Sequence, residues 1–451
     1  MFYTQSVALL AALICLLLFG ALALPLYWLL IADLVLQPVL PWAAMLGWPI
    51  GPIRVDTSDI AYVALLAGIL TRRSGALTPG RIPHFWIWLL LGCAMTISYV
   101  TAPVTREALD NTVAIPYLLA RYVWKPILAF PLAALLLDDR RAVGKIPWAL
   151  VAAALLFALT AVPDIRSGAT ATGPYGSGNA LAPALIPGAL AATAMLFVKK
   201  RRRSWWIALA CFLLLSRVMM FANSEGAFAG YAVGMAVLGL GYLAMPGMRR
   251  AVERVAVAAF LVCLVVLISK PDLFQRPNVR EALQLTQGTE HENLKWRIEQ
   301  RWPYFIDKTL ERPWLGWGED TDDRFGARAV TPHSSYIGIA VKHGIPTLIL
   351  HVSICLLGVR NGYRLFRRSP DEEIARLGLI AVAVLAALLT HGVVDGTLTI
   401  PYVRTVMFLL AGAVSALAYA MKATKATKVE VAEAAADESP ALSAAPSPGG
   451  S

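Results

Sequence analysis

Residues 181–198 read LAPALIPGALAATAMLFV, and residues 199–203 follow as KKRRR. The first stretch carries no charge and has the length of a membrane span, because a helix rising 1.5 Å per residue needs about 20 apolar residues to cross roughly 30 Å of hydrocarbon. The basic run behind it is topogenic and marks the cytoplasmic side, with a touch to anionic lipid as an added role. Working outward, apolar segments of spanning length recur at 7–31, 55–71, 84–102, 114–137, 146–163, 204–222, 225–245, 254–269, 334–358, 375–395 and 401–421. With the first, they predict an all-α polytopic membrane protein of about 12 spans. The second is the weakest, because 32–57 carries Asp33, four prolines, Arg54 and Asp56 and has room for a re-entrant or interfacial piece.

The whole chain agrees with this reading. Of its 451 residues 58% are hydrophobic and 15% charged, and the mean hydropathy is +0.62, which excludes a soluble enzyme. A net charge of +11 suggests nucleic acid as a partner. The basic residues, however, stand in short loops between apolar runs, as topology requires, so nucleic acid is not expected. The five cysteines (Cys15, Cys93, Cys211, Cys263, Cys355) each lie in an apolar run, offering no metal site and reporting no redox compartment. The stretch from Ser6 to about Ile31 lacks a basic n-region and is too long for a cleaved signal, so a retained first span is expected.

Lysine and arginine separate the loops into two sets. Arg72/Arg73/Arg81, Arg140/Arg141/Lys145, the run at Lys199, Arg249/Arg250/Arg254, Arg360/Arg364/Arg367/Arg368 and Lys422/Lys425/Lys428 mark one face as cytoplasmic, together with both termini. The other face receives 32–54, 103–113, 164–180, the turn at Asn223, the long segment 270–333 and the link 396–400. That long segment holds ten Lys/Arg against eleven Asp/Glu. The expected organisation is therefore 1–269 with spans 1–9, 270–333 as a large periplasmic loop, 334–421 with spans 10–12, and 422–451 as a disordered cytoplasmic tail rich in Lys, Ala, Glu, Ser, Pro and Gly.

Within the long segment, Glu292 to Phe305 has the spacing of an amphipathic helix lying on the membrane surface. Next comes Arg312-Pro313-Trp314-Leu315-Gly316-Trp317-Gly318, whose proline and glycines predict a turn and whose tryptophans suit the headgroup region. Then Pro332-His333-Ser334-Ser335-Tyr336 opens the tenth span. The partial positive charge of a helix start disfavours the imidazolium there, and a neutral imidazole is what a general base requires.

These two motifs, about thirteen residues apart and entering a membrane helix, resemble the family containing O-antigen ligases and O-antigen polymerases. In that family a P-x-x-G-x-G turn precedes an H-[NS]-x-[YFL] motif and an x-x-G-[IL]-x-G stretch. The likeness runs in detail from Lys295 to Leu350 and loosely over the chain, with Gly344-Ile345 kept and Thr347 in place of the last glycine. It implies a GT-C-like membrane glycosyltransferase of the bacterial inner membrane, active at the periplasmic face without metal or nucleotide cofactor. The glycan passes from an undecaprenyl-diphosphate carrier to lipid A-core (ligase) or to another glycan (polymerase), and membrane lipid is the remaining partner. His333 stands at the family's essential histidine. Arg297 and Arg301, near Trp302, match the family arginine ahead of the turn. Many members carry Ser-Arg-Gly or Thr-Arg-Gly upstream, where this chain reads Ser224-Glu225-Gly226 and offers only Arg217, one helix earlier. Asn179 resembles a family asparagine and is also a plain N-cap.

Charges inside spans point the same way. Arg121 and Lys125, four residues apart, share a helix face in the extracytoplasmic half of the fourth span. A charge in lipid costs several kcal/mol, about 2.5–3.5 on insertion scales, unless it meets a cavity or a partner. The donor diphosphate is one candidate partner, and an acid such as Glu225 or Asp395 is another. Ser216, Glu225, His391, Asp395 and Arg404 gather near the same face, while His343 and His351 read as packing residues. A transporter or flippase for a lipid-linked glycan is the reading from another class; it predicts related halves and broken midplane helices, neither of which is visible in the sequence.

Overall fold

The computed structural model describes residues 25–37, 48–50, 53–55, 57–72, 82–101, 119–136, 140–167, 169–197, 202–222, 224–245, 253, 256, 296–318 and 332–438. Among these the chain is helical apart from one hairpin, in which Trp48–Ile50 (β1) pairs antiparallel with Ile53–Val55 (β2). This hairpin occupies the stretch expected to be re-entrant or interfacial.

The apolar helices are α1 Leu26–Leu36, α2 Thr57–Arg72, α3 Phe85–Thr101, α4 Lys125–Leu136 with a π-helical lead-in Leu119–Trp124, α5 Ile146–Thr160, α6 Gly178–Leu196, α7 Arg202–Ala222 and α8 Glu225–Leu243. After them come α9 Trp302–Glu311, α10 Ser335–His343, α11 Ile345–Arg368, α12 Glu372–Val394 and α13 Pro401–Glu438. Six of the described helices, α6, α7, α8, α11, α12 and α13, are long and apolar enough to cross a membrane, and five shorter apolar helices accompany them. The chain is thus a polytopic membrane protein. Of the ninth span expected at 254–269 only residue 256 is described, and 270–295 and 319–331 fall outside the described residues.

The helix that decided the sequence reading lies at the centre. α6 is buried along nearly its whole length and packs against α5, α7, α8 and α12. Membrane helices gain little from mutual apolarity, so close approach through small residues does the packing. A methyl group on Gly362 of α11 would stand 2.8 Å from Gly378 O of α12, and one on Gly378 would stand 2.6 Å from Gly362 O. Only a pair of glycines admits that crossing.

Polar contacts fix the two ends of the bundle. At the arginine-bearing end of α11, Asn361 donates to Ser415 Oγ at 2.9 Å and lies 3.3 Å from His84 Nε2, just ahead of α3. At the other end of α3, Ser98 Oγ donates to Lys342 O at 3.0 Å. α10 therefore sits at the end opposite the arginines.

Three boundaries differ from those expected. Residues 7–31 are not one helix: Pro25, with ψ 132°, precedes the start of α1, and its ring forbids the turn that would run through it. The start of α1 lies beside that of α5, because Lys145 Nζ is 3.8 Å from the Trp28 ring centre and donates to Tyr27 Oη at 3.2 Å; residues 1–24 are outside the described set. The tenth span is two helices, α10 and α11, broken at Gly344. Within the tail expected to be disordered from 422, α13 continues to Glu438, since its Ala, Lys and Glu are strong helix formers; residues 439–451 lie outside the described set.

Candidate active site

The break at Gly344 exposes the end of α10 and the start of α11, which leaves carbonyls and amides without helical partners. The turn after α9 supplies them. Trp317 N donates to Val341 O and Gly318 N to Lys342 O, both at 2.8 Å, while Pro313 O accepts from Ile345 N at 2.8 Å. The two backbones approach so closely that glycine is required on each side. Gly316 has φ +64°, and a methyl there would meet Lys342 O at 2.5 Å; Gly344 has φ +84°, and a methyl there would meet Trp314 O at 2.3 Å. Thr347, the departure from the family glycine, is buried and donates its hydroxyl to His343 O at 2.8 Å, satisfying one more carbonyl. His343 itself is buried against Ser98, with Nδ1 3.2 Å from Ser98 Oγ.

α9 buries Phe305 and Thr309, as the π-helical turn Arg297–Arg301 before it buries Arg301, and exposes Ile306 and Leu310. At its start Trp302 Nε1 donates to Pro332 O at 3.0 Å, which fixes the residue ahead of His333. His333 has φ +48°, a left-handed conformation uncommon outside glycine, and precedes the N-cap residue Ser334. Its Nδ1 stands 3.8 Å from Asp395 Oδ1, with 23% of the His333 side chain and 14% of the Asp395 side chain exposed. At that length the two face each other without a formed hydrogen bond.

The first residue of α10 holds this arrangement. Ser335 Oγ donates to Asp395 O at 2.7 Å and accepts from Leu398 N at 2.9 Å, while Gly396 N donates to Asp395 Oδ1 at 2.8 Å. Tyr336 Oη donates to Leu389 O at 2.8 Å, one helical turn and a half earlier on α12. Behind Asp395, fully buried His391 bonds through Nδ1 to Thr397 Oγ1 and faces Ser224 Oγ through Nε2 at 3.4 Å. Ser224 caps α8 by accepting from Ala227 N, and a methyl on Gly226 would stand 3.3 Å from His391 Nε2, so Ser224 and Gly226 both lie against His391. Arg404, buried at the start of α13, donates from Nε to Leu398 O at 3.1 Å and from Nη1 to Tyr122 O at 3.0 Å. It pins the link after α12 to the π-helical lead-in of α4.

The expected cations divide. Arg297 Nη1 donates to Val394 O at 2.8 Å, one residue from Asp395, and so joins the His333 site. Arg301 is 7% exposed, and its guanidinium lies 4.5 Å from the Trp296 ring centre. Lys125 is held elsewhere: its Nζ is 2.9 Å from Asp59 Oδ1 and 3.5 Å from Asp33 Oδ1, so its acids are Asp33 and Asp59 rather than Glu225 or Asp395. Arg217 is exposed on α7, 5.9 Å from the Phe221 ring centre. The backbone of Arg121 lies in the Leu119–Trp124 segment, and its side chain falls outside the described residues. Sequence reasoning had Asp395 as a possible acid for Arg121 or Lys125 and Ser335 as a helix-start residue, and did not bring either to His333. The available signals were an aspartate directly after the apolar helix α12 and a serine at the first position of α10.

Residues 209–352 match the family described as O-antigen ligase. That segment runs from within α7 through α8, α9 and α10 into α11, and so holds Arg217, Arg297, Arg301 and His333. No curated protein matches the chain.

Proposed function

From a chain whose residues 209–352 belong to the O-antigen ligase family, we propose a membrane glycosyltransferase of the bacterial inner membrane that moves an O-antigen or related glycan from an undecaprenyl-diphosphate carrier to lipid A-core. In this reading the protein has twelve spans, the His333 end of the bundle faces the periplasm, and the C-terminal helix lies in the cytoplasm. The observation that carries it is the facing of His333 and Asp395 at 3.8 Å, with Arg297 bonded to the adjoining Val394 carbonyl.

The chemistry follows from that geometry. Asp395 orients the imidazole with its proton on Nδ1, leaving Nε2 to take the proton of the acceptor hydroxyl. The hydroxyl oxygen attacks the sugar C1 from the side opposite the diphosphate, the C1–O bond to phosphate breaks, and the configuration at C1 inverts. The diphosphate leaves with the bonding pair, and Arg297 and Arg301 stabilise its charge. Arg217 and Arg121 complete the cationic set. We assign Lys125 instead to holding α1, α2 and α4 together through its two aspartates.

Reconstitution with purified undecaprenyl-diphosphate glycan and lipid A-core tests the proposal. Wild type is expected to form glycosylated lipid A-core, and His333→Ala to be slower by about 10²- to 10⁴-fold, the usual worth of a general base. Lengthened carrier-linked glycan in place of that product assigns a polymerase. Movement of the carrier across the bilayer, undiminished in His333→Ala, overturns the proposal in favour of a flippase.

A further inference from the structure

Arg404 is among the most deeply buried side chains of the bundle, 2% exposed in the first turn of α13. A cation inside a span is costly, and the partial positive charge of a helix start adds to that cost. The reach of the side chain explains the placement. Its Nε donates to Leu398 O at 3.1 Å and its Nη1 to Tyr122 O at 3.0 Å, so one planar fork holds two carbonyls on separate elements, which the single nitrogen of a lysine cannot do. One side of this clasp is a frame: α13 packs along α4, so closely that a methyl on Gly412 would run into Phe130 O. The other side is the 3₁₀ turn Thr397–Thr399 in the link between α12 and α13.

From that turn a chain of bonds leads to the site. Leu398 N donates to Ser335 Oγ at 2.9 Å, Ser335 Oγ donates to Asp395 O at 2.7 Å, and Asp395 Oδ1 stands 3.8 Å from His333 Nδ1. Leu398 is fully buried, and a methyl on Gly392 would stand 3.2 Å from Leu398 Cγ and 3.3 Å from Ser335 Oγ, so the turn cannot shift without moving α10 or α12. Because His333 and Asp395 form no hydrogen bond of their own, their approach is set by the backbones that carry them. We propose that Arg404 is a positioning residue for the reaction proposed above, on which this assignment rests: it hangs the link on the α4–α13 frame and thereby sets Asp395 against His333. Its burial leaves it no face for substrate, so it acts through Asp395 rather than on the diphosphate.

Double-variant kinetics test the assignment. Full-length protein in lipid nanodiscs transfers glycan from undecaprenyl diphosphate to lipid A-core, as wild type, Arg404→Lys, Asp395→Asn and both together. Arg404→Lys is expected to lower kcat about 10- to 100-fold with the KM of both substrates near wild type, because a misplaced orienting group slows the chemical step. The double variant is expected to be no slower than Asp395→Asn alone, since a residue that acts through another has no effect once the other is gone. Losses that multiply, or a raised KM with kcat unchanged, overturn the proposal. If Arg404→Lys does not fold, Ser335→Ala cuts the same chain of bonds at its middle and is judged by the same comparison with Asp395→Asn.

A second readout needs no turnover. Diethyl pyrocarbonate acylates the imidazole of His333, and mass spectrometry gives the rate at that residue. Arg404→Lys and Asp395→Asn are expected to change this rate in the same direction and by a similar factor; an unchanged rate in Arg404→Lys overturns the proposal. No transfer by wild type, with the rate still responding to Arg404→Lys, defeats the proposed function and leaves the coupling of Arg404 to Asp395 and His333 standing.

Discussion

Around Lys125 the charges are closed: 2.9 Å to Asp59, 3.5 Å to Asp33, with the lysine 8% exposed. Around His333 they are open, because the ring and the Asp395 carboxylate stop at 3.8 Å and keep 23% and 14% of their side-chain surface. Both groups lie in helices or at helix ends of the same bundle, and on sequence grounds Lys125 was a candidate for holding a diphosphate and His333 for the general base. The difference is that Lys125 has its counter-charges built into the fold, whereas the His333 side chain keeps exposed surface. Lys125 already meets two carboxylates, and its place in the fold is a strut between three helices.

The comparison can be broken most sharply at the closed group. Lys125→Met strands Asp59 and Asp33 without their cation and is expected to cost about 3–5 kcal/mol of folding stability, read as a lowered unfolding midpoint in detergent, while transfer per folded molecule stays near wild type. A stable variant with strongly reduced transfer would return Lys125 to the diphosphate. At the open group the expected effect is smaller and of the other kind. Asp395→Asn keeps an oxygen for Gly396 N but loses the charge that orients the ring, so kcat is expected to fall about 10- to 100-fold with the unfolding midpoint unchanged. Equal losses of midpoint and kcat would make Asp395 a fold residue like Asp59.

A third test lies outside the spans. The backbone amide of Thr172, then its hydroxyl, hold the Asp164 carboxyl below the usual aspartate range, through bonds of 2.9 and 2.8 Å. Because the folded value is the lower one, its stabilisation is present above the ordinary aspartate pKa and is lost as pH falls through the folded value. Solvent screening keeps this to about 0.5 kcal/mol. The protection of the Thr172 and Gly173 amides against exchange, relative to an unstructured chain at the same pH, should therefore fall in acid, and Asp164→Asn should flatten that dependence; an acid response that survives the substitution removes Asp164 as its origin.

The spans were legible because their signal is local. An uncharged stretch of spanning length followed by KKRRR identifies α6 without reference to the rest of the chain. The break at Gly344 was hidden by its neighbours, since Ile345, Leu348 and Leu350 carry the apolar run straight across it; the readable sign was Pro346, a first-turn proline. The tail was misjudged for a related reason, low hydropathy being taken for disorder where Ala, Lys and Glu in fact extend a helix already nucleated in the core. The place of His333, just ahead of a helix start, was legible through its motif. Its partner was not, because Ser335 and Asp395 meet across sixty residues of sequence, and no periodicity reports a contact made by the link between α12 and α13.

The left-handed backbone at His333 has a consequence of its own. Glycine would sit there at ease, and a ring-bearing residue does not, at a penalty of order 1–3 kcal/mol. Position 333 is therefore tuned against comfort: His333→Gly should leave a protein that melts later than wild type while turning nothing over, a sturdier molecule with its reason for being removed.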